Sequence, residues 1–568
     1  MKWGAKKKTK VVCHTTLIFY VPRCEKLQDS EPKENVLQKE LVFKAMDINC
    51  VVEAIECFHQ FKNVKENQNN SRQSSGSNSR RVRAFKRWMK QEGIECSDAL
   101  DLRNDGATAG GVGISVRAVG DLKEGDVVAR IPKLACLTIR TAAAAAEPEA
   151  AEALENEEEL VGLAVALMYE RSLGERSRWA PYLELLSEEE AAALPLVWSA
   201  QEVERLLQGT ELEAATVKAE RSDMRKQWKE SVEPLLLMLL NSNSSNSFQF
   251  QDYLVARTFI SSRSFRIDDY HGIGMVPLAD LFNHKTAAED VHLMTSPQSS
   301  QSDSDTPQQT TESASAPSDA SGEEEEDDED EDDDDLEMTM VKDVKLGAEV
   351  FNTYGPLGNA ALLHRYGFTE PDNPYDIVNI DLELILRWGS SFSGQHRRAR
   401  VSLWRRFHYS GCVTHDSEYF EISFHGQPQF DMLVLLYIML LADEEYYKLD
   451  LAIATAGGSS DEPMHVDIIF PDKSQQLRHN AEMLTEELLL TKSLCNALSS
   501  LADMRDSLYG ANSLEDDIRA LGRCSCISEK KLYHSLVLRI SERKILRKLQ
   551  IYAANAKEAS WTNKLKRK

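Results

Sequence analysis

No stretch of the chain offers the roughly 18 consecutive apolar residues that a membrane-spanning helix needs, so no membrane span is expected. Positive charge is scarce as well. Against 92 Asp and Glu stand 66 Lys and Arg, a formal net charge of −26. A general nucleic-acid binder requires the opposite balance, so no direct nucleic-acid contact is expected. The deficit is uneven: thirteen acids fill the single run Glu323 to Asp335, and the rest of the 568 residues is only mildly acidic. The 10 Cys follow no regular framework, which fits reduced thiols in an intracellular protein. Cys524 and Cys526 form the one close pair, without a companion Cys or His at ligand spacing. They read as chance neighbours more readily than as zinc ligands, and no metal is expected.

The length allows two or three domains. Residues 1–80 read as a disordered N-terminal extension. Thr16 to Val21 is too short an apolar stretch for a secretory core, Glu25, Asp29, Glu31 and Glu34 argue against a transit peptide, and Asn67 to Ser79 is an Asn/Ser-rich linker. Order begins near Arg83, where Phe85, Trp88 and Met89 share a helix face. Ala109–Ala118 and Leu122–Pro132 alternate, and together with the Glu124-Gly125-Asp126 turn they predict a β-hairpin. No helix follows Gly113, so the Gly-x-Gly there is not a dinucleotide fingerprint. The text from 158 to 260 is helical, with capping-box spacing at Ser187/Glu190, Ser199/Glu202 and Thr210/Glu213. A helix over 212–240 is expected to kink at Pro234.

Residues 295–335 hold almost nothing apolar and read as a disordered acidic loop. It is either a solvated insertion or a docking site for a basic partner. From 371 to 568 the chain reads as a second, mostly helical domain, opening with a strand near Asp376. Leu477, Ala481, Leu484 and Leu488 stand at helical spacing. A long helix over Ser528–Ala553 carries Arg543, Lys544, Arg547 and Lys548, which form a solvated basic face or a protein or RNA contact. The tail Lys564 to Lys568 fits a nuclear signal or a solubilising end equally.

Two stretches carry chemistry. Met275-Val276-Pro277-Leu278-Ala279-Asp280-Leu281-Phe282-Asn283-His284 is apolar enough to be buried, yet ends in groups that are costly to bury without partners. About 70 residues later, Val350-Phe351-Asn352-Thr353-Tyr354-Gly355-Pro356 is strand-like and ends in turn chemistry, and a short helical segment leads to Tyr366-Gly367-Phe368. The pair resembles the two halves of the SET-domain signature, in which an Asn-His segment and a Tyr-Gly segment thread past each other. A helical insertion between the Gly-x-Gly and Asn-His parts, no Cys-rich cluster after Tyr366, and a helical C-terminal domain make the chain similar to the Rubisco large-subunit methyltransferase class. The likeness runs from about Ala84 to Tyr552 and is strongest at 108–132, 261–284 and 349–369.

That resemblance implies an α+β fold: a mostly-β SET core over 81–370 with its helical insertion at 158–260, followed by an all-α substrate-binding domain over 371–568. It implies S-adenosylmethionine as cofactor and a lysine side chain of a non-histone protein as acceptor. It places Gly110, Gly111 and Val112 against the methionine part of the cofactor, with Arg263 on its carboxylate. Asn283 and His284 fall on its amino and adenine groups, and Phe368 on the adenine face. Tyr354 takes the role of catalytic hydroxyl, Tyr366 closes the lysine channel, and Phe265 and Asp280 line the acceptor side. Some family members carry Glu where Gly110 stands, so contact there is through backbone. Tyr366 at its position favours lysine over histidine as acceptor. The chain is expected to be a soluble intracellular monomer, in nucleus or cytoplasm ahead of chloroplast. Two other readings stand beside this one: a SET-derived interaction module without turnover, and an acidic chaperone for basic proteins acting through Glu323–Asp335.

Overall fold

The computed structural model describes residues 11–12, 18–19, 80–103, 113–146, 148–240, 248–294, 335–390, 396–406, 419–455, 486–525 and 529–566. Expectations for Gly110, Gly111, Val112, the acidic stretch 295–334, Leu477, Ala481, Leu484 and most of the N-terminal extension lie outside them. The chain divides into Met1–Ser71 and Arg72–Lys568. In the first, Val11–Val12 pairs antiparallel with Ile18–Phe19. All that follows concerns the second. Among the described residues no helix is long and apolar enough to cross a membrane.

The helix over 80–91 buries Val82, Phe85, Trp88 and Met89, the face its spacing predicts. Trp88 stacks at 6.3 Å on Tyr182, from the helical insertion. A four-stranded antiparallel sheet follows in the order Glu95–Cys96, Val127–Pro132, Asp335–Met340, Val291–Met294. Asp335–Met340 buries Leu336, Met338 and Met340 on one face, the period-2 pattern of a half-covered strand.

Among the described residues the expected hairpin between 109–118 and 122–132 does not form. Gly125 does turn, at φ +87, but Val127–Pro132 pairs with Glu95–Cys96 and Asp335–Met340. Ser115–Ala118 pairs instead with Leu100–Arg103. Its other edge is taken by the segment leading to Tyr354, through Ala118 N–H to Ala348 O and Val350 N–H to Val116 O, both 2.9 Å. Long-range partners outbid the local turn, and this strand becomes the rail on which the Tyr354 segment lies.

In the insertion, Ser199 and Glu202 form a full capping box, and Ser187 Oγ caps the Glu190 N–H. Thr210 does not cap: its hydroxyl donates to Leu207 and Leu212 carbonyls, and the next helix, Ala214–Gln227, starts from Glu213. The predicted kink is a π-helical turn at Trp228–Val232, which ends where Pro234 enters the first turn of Glu233–Leu239. The central helix Glu159–Leu173, buried almost all round, packs on Phe250–Arg263.

The C-terminal region has its own core, from Val378 through Leu433 and Leu498 to Leu549. Among its described residues it is helical apart from the antiparallel ribbon Val378–Asp381 with Tyr419–Ile422, whose first strand lies where the sequence led one to be expected, near Asp376. The helix Lys530–Lys566 spans both regions. Its Leu538 joins Trp198, Val203 and Leu363 in a shared apolar cluster, and its Glu542 accepts the Glu211 N–H at 2.9 Å.

The basic stripe on this helix is committed internally. Arg543 is buried against Asp506 and Asp517, Lys544 meets Asp372, Arg547 meets Glu515, and Lys548 donates to the Phe424 carbonyl. Asp517 also lies 3.3 Å from Arg539. Asp517→Ala would take a shared carboxylate from two buried guanidinium groups, leaving Arg543 on Asp506 and Arg539 on the Tyr509 carbonyl, and is expected to destabilise the protein by about 3 kcal/mol, read by urea unfolding.

Candidate active site

The strand Gly272–Met275 delivers the first motif, locked by reciprocal bonds between Met275 and Leu137 at 2.9 and 3.0 Å. The chain then turns through Leu278 at φ +78. A bulky residue in that conformation costs on the order of 1–3 kcal/mol and persists only where packing over-determines it. Leu278 is fully buried, and the short turn Ala279–Leu281 that follows aims Asp280 inward.

The second motif runs alongside. Asn352 donates to Asn283 O at 2.9 Å, Lys285 donates to Asn352 O at 3.2 Å, and His284 and Asn352 form a parallel bridge. Asn283 reinforces the crossing with its side-chain amide, 2.7 Å from Glu349 Oε1. Tyr354 is therefore held at both ends by the other segment. Its N–H donates to His284 Nδ1 at 2.9 Å, and its phenol donates to Phe282 O at 3.2 Å.

Helix Asn359–Tyr366 brings up the remaining aromatics. It ends at Gly367, φ +77, where a Cβ would stand 3.0 Å from both Ala193 and Leu194. Only glycine suits that left-handed, crowded cap. Tyr366 then stacks on Tyr354 at 4.5 Å, and Phe368 lies 6.4 Å from Tyr354 and 6.0 Å from His284.

Opposite them, at the end of helix Phe250–Arg263, Arg263 spreads its guanidinium between two acids. Nη1 donates to the carbonyl and Oδ2 of Asp280, both at 3.0 Å, and Nη2 to Glu190 at 2.8 Å. Tyr182 adds a 2.8 Å bond to the same Asp280 oxygen, while Asp280 Oδ1 is buried without a partner.

These groups surround a cavity of about 370 Å³, within the roughly 300–1,000 Å³ of small-molecule sites. Of the residues singled out in the sequence, Arg263, Asp280, Asn283, His284, Tyr354, Tyr366 and Phe368 line it. Gly113 and Ile114, directly after the glycine segment, do so too. Phe265 is not among them; it pairs with Gly274 and packs against the main core. Sequence reasoning missed Glu190, which it had used only as a capping partner, and Lys530 at the start of the long C-terminal helix. Lys530 sits in no motif and the capping pattern already accounts for Glu190, so no local signal marked either as a site residue.

Burial sets the protonation states. It pushes the Tyr354 and Tyr366 phenols up, so both stay neutral near pH 7. It also raises Asp280, against the pull of Arg263. Burial would lower Arg263, but Glu190 and Asp280 more than offset it and hold the guanidinium charged.

Burial lowers His284, with Glu370 acting in the opposite sense. Its Nδ1 accepts the Tyr354 N–H, which requires the neutral ring, with Nε2 3.1 Å from Thr286 Oγ1. An unfolded His takes a proton near pH about 6.5, the folded one only at lower pH. Between those values the unfolded chain binds more protons, so the contribution of His284 is complete above about 6.5 and lost as pH falls towards the folded value. His284→Gln is expected to flatten the loss of stability on acidification below that point, measured by urea unfolding at a series of pH values.

No family model matches the chain. It is 27% identical over 318 residues to N-lysine methyltransferase setd6 of Salmo salar, covering 54% of this chain and 62% of that protein. The match with the Xenopus tropicalis protein of that name covers 60% of it, so these alignments span under two thirds of those relatives. With setd6 of Xenopus laevis the identity is 24% over 74% of this chain and 90% of the relative. Ribosomal lysine N-methyltransferase 3 of Saccharomyces cerevisiae is 25% identical over 39% of this chain and 51% of its own length. The crystal structure of the SET domain of LSMT bound to lysine and AdoHcy superposes with a TM-score of 0.55 at 18% identity, covering 84% of this chain and 91% of that one. That of Rubisco LSMT bound to AdoMet gives 0.53, also at 18% identity, over 84% and 92%. With the Asn-His and Tyr-Gly segments crossed as they are, this chain shares the fold of the SET domain of LSMT and is similar in sequence to N-lysine methyltransferases.

Proposed function

We propose that the chain is a protein-lysine N-methyltransferase that uses S-adenosylmethionine and acts on a lysine of a non-histone protein. The observation that carries this reading is the buried Tyr354 phenol, anchored by Phe282 O and facing the same cavity as Arg263 and Asp280. The cavity suits the cofactor: it offers a guanidinium for a carboxylate, aromatic faces for a cationic or planar group, and enough room. When bound, S-adenosylmethionine supplies an electrophilic methyl group.

The work left to the protein is orientation and exclusion of water. Tyr354, donating its proton to Phe282 O, keeps oxygen lone pairs available to align the incoming amine. Its neutral phenol acts by position rather than as a base. Tyr366 and Phe368 wall the site with Tyr354. Asp280 Oδ1, buried and unpartnered, is an acceptor ready for an amine N–H. A free lysine is mostly protonated at neutral pH, with a pKa of about 10.4; burial lowers that value and frees the lone pair. Gly110–Val112 for the cofactor, Asn283 and His284 beside it, and 371–568 as the substrate-docking region complete the assignment. The word ribosomal in the name of one relative, Ribosomal lysine N-methyltransferase 3, supports a non-histone acceptor. Nucleus or cytoplasm is the proposed location, and a monomer the proposed state.

The test is transfer of labelled methyl from S-adenosylmethionine to a protein extract, followed by acid hydrolysis. Label recovered as methyl-lysine supports the proposal. No incorporation, or label on another residue type, contradicts it.

A further inference from the structure

One charged group of the cavity wall has no role in that account. Glu190 lies on the short helix Glu188–Ala191 and turns its carboxylate away from its own cap, across the cavity wall to Arg263. The bond uses Oε2; Oε1 lies on the Gly113 side, 3.5 Å from where a Cβ on that glycine would stand. Asp280, the other acid on Arg263, has a fully enclosed side chain and is bound by Tyr182, whereas the Glu190 side chain keeps 25% of its exposure. Both acids line the cavity; Asp280 is the more enclosed partner of the guanidinium, and Glu190 is the one more open to a ligand.

A wall carrying a guanidinium beside a carboxylate presents both signs of charge within a few ångströms. That is the complement of an α-amino-acid zwitterion, whose ammonium and carboxylate are held equally close. A ligand bringing a carboxylate alone would meet Arg263 but be repelled by Glu190. We propose that Glu190 receives the α-ammonium of the methionine portion of S-adenosylmethionine while Arg263 takes its carboxylate, so that Glu190 selects ligands bearing the intact amino acid. The assignment rests on the function proposed above.

Calorimetric titration of the full chain separates the possibilities, with two ligands that differ only in the amino group: S-adenosylhomocysteine and 5′-S-(3-carboxypropyl)-5′-thioadenosine. A charge-assisted hydrogen bond predicts that the unmodified protein prefers the first by about tenfold to a hundredfold. Glu190→Gln, which can still bond Arg263, is expected to lose that preference, weakening on the first ligand and holding or gaining on the second. Glu189→Gln, on the exposed side of the same helix, should behave as the unmodified protein, and thermal unfolding confirms that each variant is folded. Retained preference in Glu190→Gln, or tighter binding of S-adenosylhomocysteine by that variant, overturns the inference while leaving the methyltransferase reading intact. Failure of the unmodified protein to bind either ligand overturns both.

Discussion

Tyr354→Phe is expected to lower methyl transfer about a hundredfold or more, because a small loss of alignment at a reacting centre has that effect, while leaving the protein folded. The substitution removes one oxygen and keeps the ring. Stacking on His284 at 4.9 Å and on Tyr366 at 4.5 Å survives, as does the backbone bond from residue 354 to His284 Nδ1. What goes is a single hydrogen bond to Phe282 O, worth about 0.5–1.5 kcal/mol of stability. The readouts therefore diverge: initial rate of methyl transfer collapses, and the urea midpoint moves little. Full turnover in the variant would remove the phenol from the chemistry.

Arg263→Ala should be the most damaging change to cofactor binding and costly to the fold as well. It strips Asp280 and Glu190 of their shared cation, and breaking a buried pair of this kind costs about 3–5 kcal/mol. Arg263→Lys distinguishes the two effects. A lysine keeps the charge but not the planar fork that spans both acids, so this variant should fold while binding S-adenosylhomocysteine at least about tenfold more weakly. Unchanged affinity in a folded Arg263→Lys protein would show that the guanidinium serves the acids alone.

The two motifs were legible in the sequence because each breaks an apolar segment with polar groups that burial would penalise without partners. Their crossing was not. The His284–Asn352 bridge joins residues far apart in the chain, and no local periodicity encodes such a contact. Strand partners were misassigned for the same reason: Ser115–Ala118 alternates as a hairpin arm would, yet its edges go to Leu100–Arg103 and to the 348–350 segment. Phe265 carries family spacing but points into core packing. The basic residues of the long helix look like a free stripe in sequence, and only the fold reveals that Asp506, Asp517, Asp372 and Glu515 meet them. Glu190 satisfies a capping pattern at its backbone, and that local role concealed the reach of its carboxylate to Arg263.

The most direct test of the central claim is quantitative mass spectrometry of lysine methylation in cells lacking the protein, restored with either the unmodified chain or the Tyr354→Phe variant. The account predicts protein lysine sites that lose methylation in the deletion and regain it with the unmodified chain alone. Identical methyl-lysine profiles in all three, or full restoration by the variant, would contradict it.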